Sequence, residues 1–461
     1  MQPMHALVLG LGESGLAMAQ WLDREGAKLR VADSRATPPG VDELRRCASN
    51  VELVCGAFTE ALLEDIDVLA LSPGLSINEP VVLAARARGI GITGEIELFA
   101  RALDTRGLRS QCKVIAITGT NGKTTTTTLV GDLCRAAGWD TAVAGNISPA
   151  ALTELMSRLD AKRMPEVWVL ELSSFQLETT ASLRADAATV LNVSDDHLDR
   201  HKDMGGYAAA KQGIFNGDGI QVLNRQDKYV MSMALEGRGQ VSFGLDAPTG
   251  GDAYGLIDDA GESWLVRGRE RLLLRDELPL AGSHNVANAL AAIALCEAIG
   301  ISREPMVAAL KKFNGLPHRV AWVARRADGV DFYDDSKGTN VGATVAALQG
   351  LGRKVVLIAG GDGKGQDFWP LRDVFKLHAR AVVLIGRDAQ RLAAEVEGCG
   401  VTMIHAADLD GAVIEANARA LPGDAVLLSP ACASFDMFRN YAHRAQVFVD
   451  AVKRLPEVAS V

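Results

Sequence analysis

The sequence contains no apolar run of the ~18 residues that a membrane-spanning helix needs. Its start, Met1-Gln-Pro-Met-His5, carries no cationic segment ahead of a hydrophobic stretch, so no secretory signal is expected. Cysteine is sparse. The seven residues (Cys47, Cys55, Cys112, Cys134, Cys296, Cys399 and Cys432) are scattered, odd in number and never form a Cys-x-x-Cys pair. That pattern argues against a disulfide framework or a thiolate metal site and fits a reducing cytoplasm. Positive charge is also in short supply: 48 Lys and Arg stand against 57 Asp and Glu, for a net charge of −9. A general polyanion-binding surface is therefore not expected, and neither a nucleic-acid nor a membrane partner is anticipated, although a local basic site is still open. Short-period repeats, low-complexity tracts and heptads are missing as well, which removes fibrous and disordered readings.

What remains is an ordinary globular composition, 48% hydrophobic and 23% charged over 461 residues. At ~150 residues per domain this length predicts about three domains. Short apolar runs at 5–10, 29–33, 51–55 and 67–72 alternate with helical patterns such as 16–26, which predicts a parallel sheet covered on both faces. The polar stretch 104–111 reads as a linker. A second unit opens at Val114–Ile117, with further strands expected at 167–171 and 187–192. Between 241 and 274 short runs separated by turn residues predict an antiparallel meander, and a long Ala- and Leu-rich helix is expected over 285–299. A third alternating unit begins near Pro317, with strands expected at 330–333, 355–359, 381–385, 402–405 and 425–429. The fold class is α/β, with three domains in series at 1–106, 107–316 and 317–461.

Two glycine-rich loops carry chemistry. Thr118-Gly-Thr-Asn-Gly-Lys-Thr-Thr125 follows a strand and leads into a helix, so successive backbone N–H groups and the helix N-terminus converge on one anion-binding point. Lys123 is placed to reach the β- and γ-phosphates of a nucleotide, and the Thr124 hydroxyl to ligate Mg²⁺. The loop departs from the full phosphate-loop pattern at Ile117, where glycine is expected, and Gly119 supplies the flexibility instead. The other loop, Gly10-Leu-Gly12-Glu-Ser-Gly15, also follows a strand, and Asp33 ends the next strand about twenty residues on, as in a dinucleotide site. No hydride-transfer site is evident downstream. This loop, with Ser34, Arg35 and the turn Ser72-Pro73-Gly74, therefore reads as an anchor for a diphosphate-bearing substrate.

Glu171 ends an apolar strand beside the phosphate loop, a suitable place for a hard cation that prefers oxygen ligands. His197 lies in Asn192-Val-Ser-Asp-Asp-His-Leu-Asp199, where Ser194 or Asp195 also resembles a helix N-cap. Lys211 reads, on spacing alone, as a helix-surface lysine.

The loop at 119–124, the run Leu170-Glu-Leu-Ser-Ser-Phe-Gln-Leu-Glu178 and the stretch 192–199 together resemble the ATP-dependent Mur ligases. So do Asp334-Asp-Ser-Lys-Gly-Thr-Asn340, Gly360-Gly-Asp-Gly-Lys364 and Ser429-Pro-Ala-Cys-Ala-Ser-Phe-Asp436. The resemblance implies an N-terminal Rossmann-like domain for a UDP-linked substrate and a central P-loop ATPase-type domain with a small antiparallel sheet. It also implies a C-terminal Rossmann-like domain that binds glutamate and closes on ATP. The implied reaction joins D-glutamate to UDP-N-acetylmuramoyl-L-alanine through an acyl phosphate, releasing ADP and phosphate, as a step of peptidoglycan synthesis and so of cell-wall growth, shape and division. A cytoplasmic monomer acting on small molecules is expected.

By the same resemblance, Gly119, Thr120, Asn121, Gly122, Lys123, Thr124 and Thr125 hold the ATP phosphates, Asn285 and Asn288 face adenine, and Asp335 binds the ribose. Asn146 lies near the transferred phosphate, and Arg319 and Lys337 neutralise its charge. Two Mg²⁺ sites are implied, drawing on Thr124, Glu171, His197 and a Lys211 converted by CO₂ to a carbamate. Gly12, Ser14, Gly15, Ser34, Arg35, Ser72 and Gly74 would hold UDP; Thr339, Lys364, Ser434 and Phe435 would receive glutamate. Phe435 is bulkier than the aliphatic residue expected at its position, and Tyr441 falls where phenylalanine is expected. Three other readings compete: folylpolyglutamate synthase, whose two-domain layout leaves the Gly10–Gly15 unit without a counterpart, an NAD(P) oxidoreductase using the first loop, and a non-enzymatic nucleotide switch.

Overall fold

The computed structural model describes residues 3–48, 51–456 and 458–460. Three sheets follow one another along the chain. The first is wholly parallel, in the order Glu52–Cys55, Lys28–Asp33, His5–Leu9, Val68–Leu71, Gly91–Thr93. Its strand order reverses beside His5–Leu9, and in such sheets the crevice outside the carboxyl ends at that point is where ligands bind. The helix Glu95–Thr105 covers most of the predicted linker's approach, leaving a short turn of helix at Arg109–Gln111 before the second unit.

The second sheet runs Glu270–Leu274, Glu262–Arg267, Ala253–Asp259, Gln240–Phe243, Ile220–Asn224, Ala187–Val190, Lys113–Thr118, Val167–Glu171, Thr141–Gly145. The expected meander is antiparallel over its last three strands only. Gln240–Phe243 pairs in parallel with both neighbours and so belongs to the main parallel sheet. The helix Ser283–Ala298 matches the expected long helix and is apolar almost all round because it is buried against the helix Lys123–Ala136 that follows the phosphate loop. That packing holds the start of the phosphate-loop helix in place from behind.

The third sheet runs Thr402–His405, Ala379–Ile385, Val355–Gly360, Ala425–Leu428, Asp331–Asp334, Ala321–Arg326, Val458–Ser460. Its first five strands are parallel, and the last two add an antiparallel edge that the apolar pattern does not predict. Ala321–Arg326 escapes notice because it mixes an exposed Trp322 and two half-exposed or exposed arginines into six residues. Its Arg325 instead pairs with Asp331, whose carboxylate also receives Arg353 and the Trp322 indole N–H.

Candidate active site

The phosphate loop leaves the sheet after Thr118 and turns at Gly122, whose φ of +84° is left-handed. A Cβ at Gly122 would stand 2.5 Å from the Asn288 side-chain oxygen, so glycine is required by both backbone and packing. Lys123 begins the helix, and its Nζ donates to the carbonyls of Gly119 (2.8 Å) and Thr120 (2.9 Å). Desolvation pulls the Lys123 ammonium below its usual pKa, opposed by the charge of Glu171. Asn192, at the end of the adjoining strand, clamps the loop: its amide oxygen accepts from Asn121 N–H (2.9 Å) and its NH₂ donates to the Asn121 carbonyl (3.0 Å).

Lys211 lies at the same point. Far from the helix surface, it is 1% exposed, and its Nζ donates to the Gly119 carbonyl at 2.9 Å. Tyr207, one turn earlier on the helix Met204–Gln212, presents its ring 4.4 Å from that nitrogen. Burial drives the Lys211 ammonium well below the ordinary lysine range, favouring a neutral amine. Glu171 is buried at the end of its strand. One carboxylate oxygen accepts from Asn146 Nδ2 at 2.7 Å, while the other is buried without a partner. A buried carboxylate oxygen left bare is costly unless a cation completes it, so this donor set fits a hard divalent ion. Among the described residues no three His, Cys, Asp or Glu side chains cluster tightly enough to hold a metal alone.

His197 has a left-handed φ of +55° and stands edge-on to Phe175, 4.8 Å between ring centroids, with Asp196 3.7 Å from its Nε2. The expected N-cap at Ser194 or Asp195 is not formed: the helix begins at Leu198, and the Ser194 hydroxyl is buried without a partner while its N–H donates to Thr120 Oγ1 (3.0 Å). Beside it Arg200 pairs with Glu178 at 2.6 Å over the Phe175 ring.

A cavity of about 410 Å³ opens between the phosphate loop and the third domain. Asn285, Asn288, Arg319, Asp335 and Lys337 line it together with Asn121, Gly122 and Thr125, as does His284, which sequence reasoning passed over although it adjoins Asn285. Burial lowers the His284 pKa to about 4 and raises that of Asp335 to about 7, whose carboxylate accepts from Ser429 Oγ at 2.7 Å. The third domain touches the loop directly: Asn340, capping the helix Val341–Gly350, reaches the Asn121 side-chain oxygen at 3.2 Å and Asp196 at 3.3 Å. Tyr207, Asn192 and Asn340 were given no role by the sequence, although Asn192 and Asn340 lie in motifs that carry the resemblance and Tyr207 sits four residues before Lys211.

Thr339, Lys364 and Ser434 sit on the three loops after the strands ending at Asp334, Gly360 and Leu428. A two-way bridge between Asp362 and Ala433 draws the last two loops together, and Gln366 joins them to Val341 and Ala431. Phe435 beside Ser434 is 73% exposed.

In the first domain Gly12, Ser34, Arg35, Ser72 and Gly74 line a second cavity, of about 270 Å³, with Gly10, Asp33, Phe58 and Leu75. Arg35 forks onto Asp33 at 2.6 and 2.8 Å, which holds the Asp33 pKa near about 2. Ser14 and Gly15 do not line the cavity. A Cβ at Gly15 would fall 1.8 Å from the Gly10 carbonyl oxygen, so that glycine permits close helix packing.

Comparison with known proteins agrees along the chain. Residues 4–94 match the Mur ligase MurD-like N-terminal domain, 117–296 the Mur ligase middle domain and 318–432 the Mur ligase glutamate ligase domain. The UDP-N-acetylmuramoylalanine–D-glutamate ligase of Aromatoleum aromaticum is 61% identical over 98% of both chains, and that of Methylobacillus flagellatus 55% identical over 98% of this chain and 97% of its own. MurF from Acinetobacter baumannii shares the fold, with a TM-score of 0.62 at 19% identity over 96% of this chain and 90% of its own. With three successive domain matches and such identity from end to end, the chain belongs to the Mur ligase family and is a ligase.

Proposed function

We propose that the protein joins D-glutamate to UDP-N-acetylmuramoyl-L-alanine at the expense of ATP. The observation that carries this reading is the end-to-end identity with relatives named for that reaction. In the proposed course the alanyl carboxylate attacks the γ-phosphate, ADP leaves, and the glutamate amine displaces phosphate from the resulting acyl phosphate. The amine loses a proton in forming the amide, and the acyl oxygen leaves with the phosphate.

Each residue then has a task. Gly12, Ser34, Arg35, Ser72 and Gly74 hold the UDP portion in the first domain. Gly119, Thr120, Asn121, Gly122 and Thr125 surround the triphosphate, and Lys123 moves from its loop carbonyls onto it. Asn285 and Asn288 orient the adenine and Asp335 the ribose. Thr124, Glu171, His197 and carbamylated Lys211 are the donors for two magnesium ions. Bound there, magnesium supplies positive charge against that developing on the transferred phosphate. Asn146 keeps Glu171 oriented, and Arg319 and Lys337 add charge from the third domain. Thr339, Lys364, Ser434 and Phe435 receive glutamate. An acyl phosphate hydrolyses in water, so the third domain's contact with the phosphate loop serves to exclude it.

The test is phosphate release by the purified chain with Mg²⁺, ATP, UDP-N-acetylmuramoyl-L-alanine and each glutamate enantiomer, omitting one component at a time. Release that requires Mg²⁺, ATP, the UDP-linked substrate and D-glutamate is expected; release with L-glutamate only, or none, refutes the assignment.

A further inference from the structure

Lys337 lines the large cavity, and its Nζ lies 4.1 Å from the centroid of the Tyr441 ring. Among the described residues no carboxylate pairs with that ammonium. A lysine stem has four rotatable carbons, and the negative face of an aromatic ring is one of the few neutral groups that can fix its end.

The ring is itself held by a frame that does not depend on the ammonium. Ser336, next to Lys337 in the chain, donates its hydroxyl to the Tyr441 carbonyl at 2.8 Å. Arg444, buried one turn further along the helix Tyr441–Lys453, donates to Ser336 Oγ (3.0 Å), Ser336 O (2.8 Å) and Cys432 O (3.2 Å). Asn440 caps that helix by accepting from His443 N–H at 2.8 Å. On the other side Lys337 N–H donates to the His318 carbonyl at 3.1 Å. The His318 ring stands edge-on to Tyr441, 6.1 Å between centroids, and its Nδ1 is 2.6 Å from Asp334 Oδ2. Residues over a hundred positions apart are thus bound into one unit with the ring under the ammonium.

We propose that Tyr441 is a positioning residue whose ring sets where the Lys337 ammonium meets the transferred phosphate. The inference rests on the reading of Lys337 as a phosphate-neutralising group. Tyr441 acts through Lys337; the ring face does the work, and the phenolic hydroxyl is dispensable.

The experiment is the phosphate-release assay on the full chain carrying Tyr441→Phe, Tyr441→Leu, Tyr441→Met, Lys337→Gln, or Lys337→Gln combined with each of the last two at 441. Leu and Met keep apolar volume without a π face, and either suffices if the other fails to fold, as judged by a thermal melt. Their loss is expected to be a fall in kcat of about five- to tenfold with little change in KM for ATP. Tyr441→Phe should stay within about twofold of the unaltered chain. In the Lys337→Gln background, losing the ring should cost nothing further. An equal loss in both backgrounds overturns the inference, since the ring would then act independently of Lys337. A wild-type kcat in Tyr441→Leu or Tyr441→Met overturns it too. No release from the unaltered chain would sink the ligase reading, and this inference with it, a result distinct from either of those.

Discussion

Lys211 offers the sharpest test of the proposed chemistry. Its Nζ and that of Lys123 donate to the same Gly119 carbonyl, at 2.9 and 2.8 Å. Truncating Lys211 therefore does not strand the carbonyl, because Lys123 still satisfies it. What truncation removes is the buried stem against Tyr207, a loss on the order of 2–3 kcal/mol in stability by analogy with buried large-to-small changes. The chemical loss is of another kind. In the proposed carbamate the neutral amine that burial favours would add to CO₂, forming an N–C bond, releasing one proton and becoming an anion. Groups aimed at developing charge are worth about 3–4 kcal/mol in barrier, or about 10²–10³ in kcat. Lys211→Ala and Lys211→Arg should both lose that factor, while the melt of Lys211→Ala falls only modestly. A small carboxylate such as acetate or formate, fitting the vacated space, should return part of the rate to Lys211→Ala and none to Lys211→Arg. Rates would be read as phosphate release in buffers with and without added bicarbonate. Wild-type kcat in Lys211→Arg, which forms no stable carbamate, would refute the reasoning.

Gly122→Ala forces a left-handed alanine, costing roughly 1–2 kcal/mol, and pushes a methyl toward Asn288. ATP affinity by calorimetry should fall about tenfold, and unaltered affinity would show that the loop tolerates a Cβ. At Gly342 a Cβ would meet Ser194 Oγ at 3.0 Å and Asn121 Nδ2 at 3.1 Å, across the junction with the third domain. Alanine there is better than glycine for the helix by about 1 kcal/mol, so Gly342→Ala should hold or raise the melting temperature while lowering kcat; a rise in both would count against the junction's part in turnover. The buried His284 binds its proton only near pH 4 when folded but near 6.5 when unfolded. As pH falls from 6.5 toward 4 the unfolded chain gains the proton first, so stability drops by up to on the order of 3 kcal/mol. His284→Asn should flatten the melting temperature across that window relative to the unaltered chain, and parallel curves would exclude His284 as the source.

Legibility followed locality. The turns at 118–125 and 10–15 were readable because a turn between strand and helix needs particular residues within a few positions, whatever surrounds it. Strands such as Val355–Gly360 were readable because both sheet faces are covered, leaving an unbroken apolar run. Thr141–Gly145 and Ile220–Asn224 carry weaker runs and went unread, as did Ala321–Arg326, which is held by pairing with Asp331–Asp334 and by charges outside its own span. Ser194 shows the opposite failure: the capping signal is locally sound, but the helix begins only at Leu198 and the serine hydroxyl is buried without a partner.

By itself the sequence determined three α/β units in order, the strand-turn-helix at 118–125 and the family motifs, because these are written in neighbouring residues. Only the tertiary structure turned Lys211 from an ordinary helix lysine into a buried amine against Gly119 and Tyr207. It alone brought Asn340 to Asn121 and laid Tyr441 beneath Lys337. Burial and electrostatic surroundings depend on what other parts of the chain bring to a point, and no local pattern of residue types encodes that.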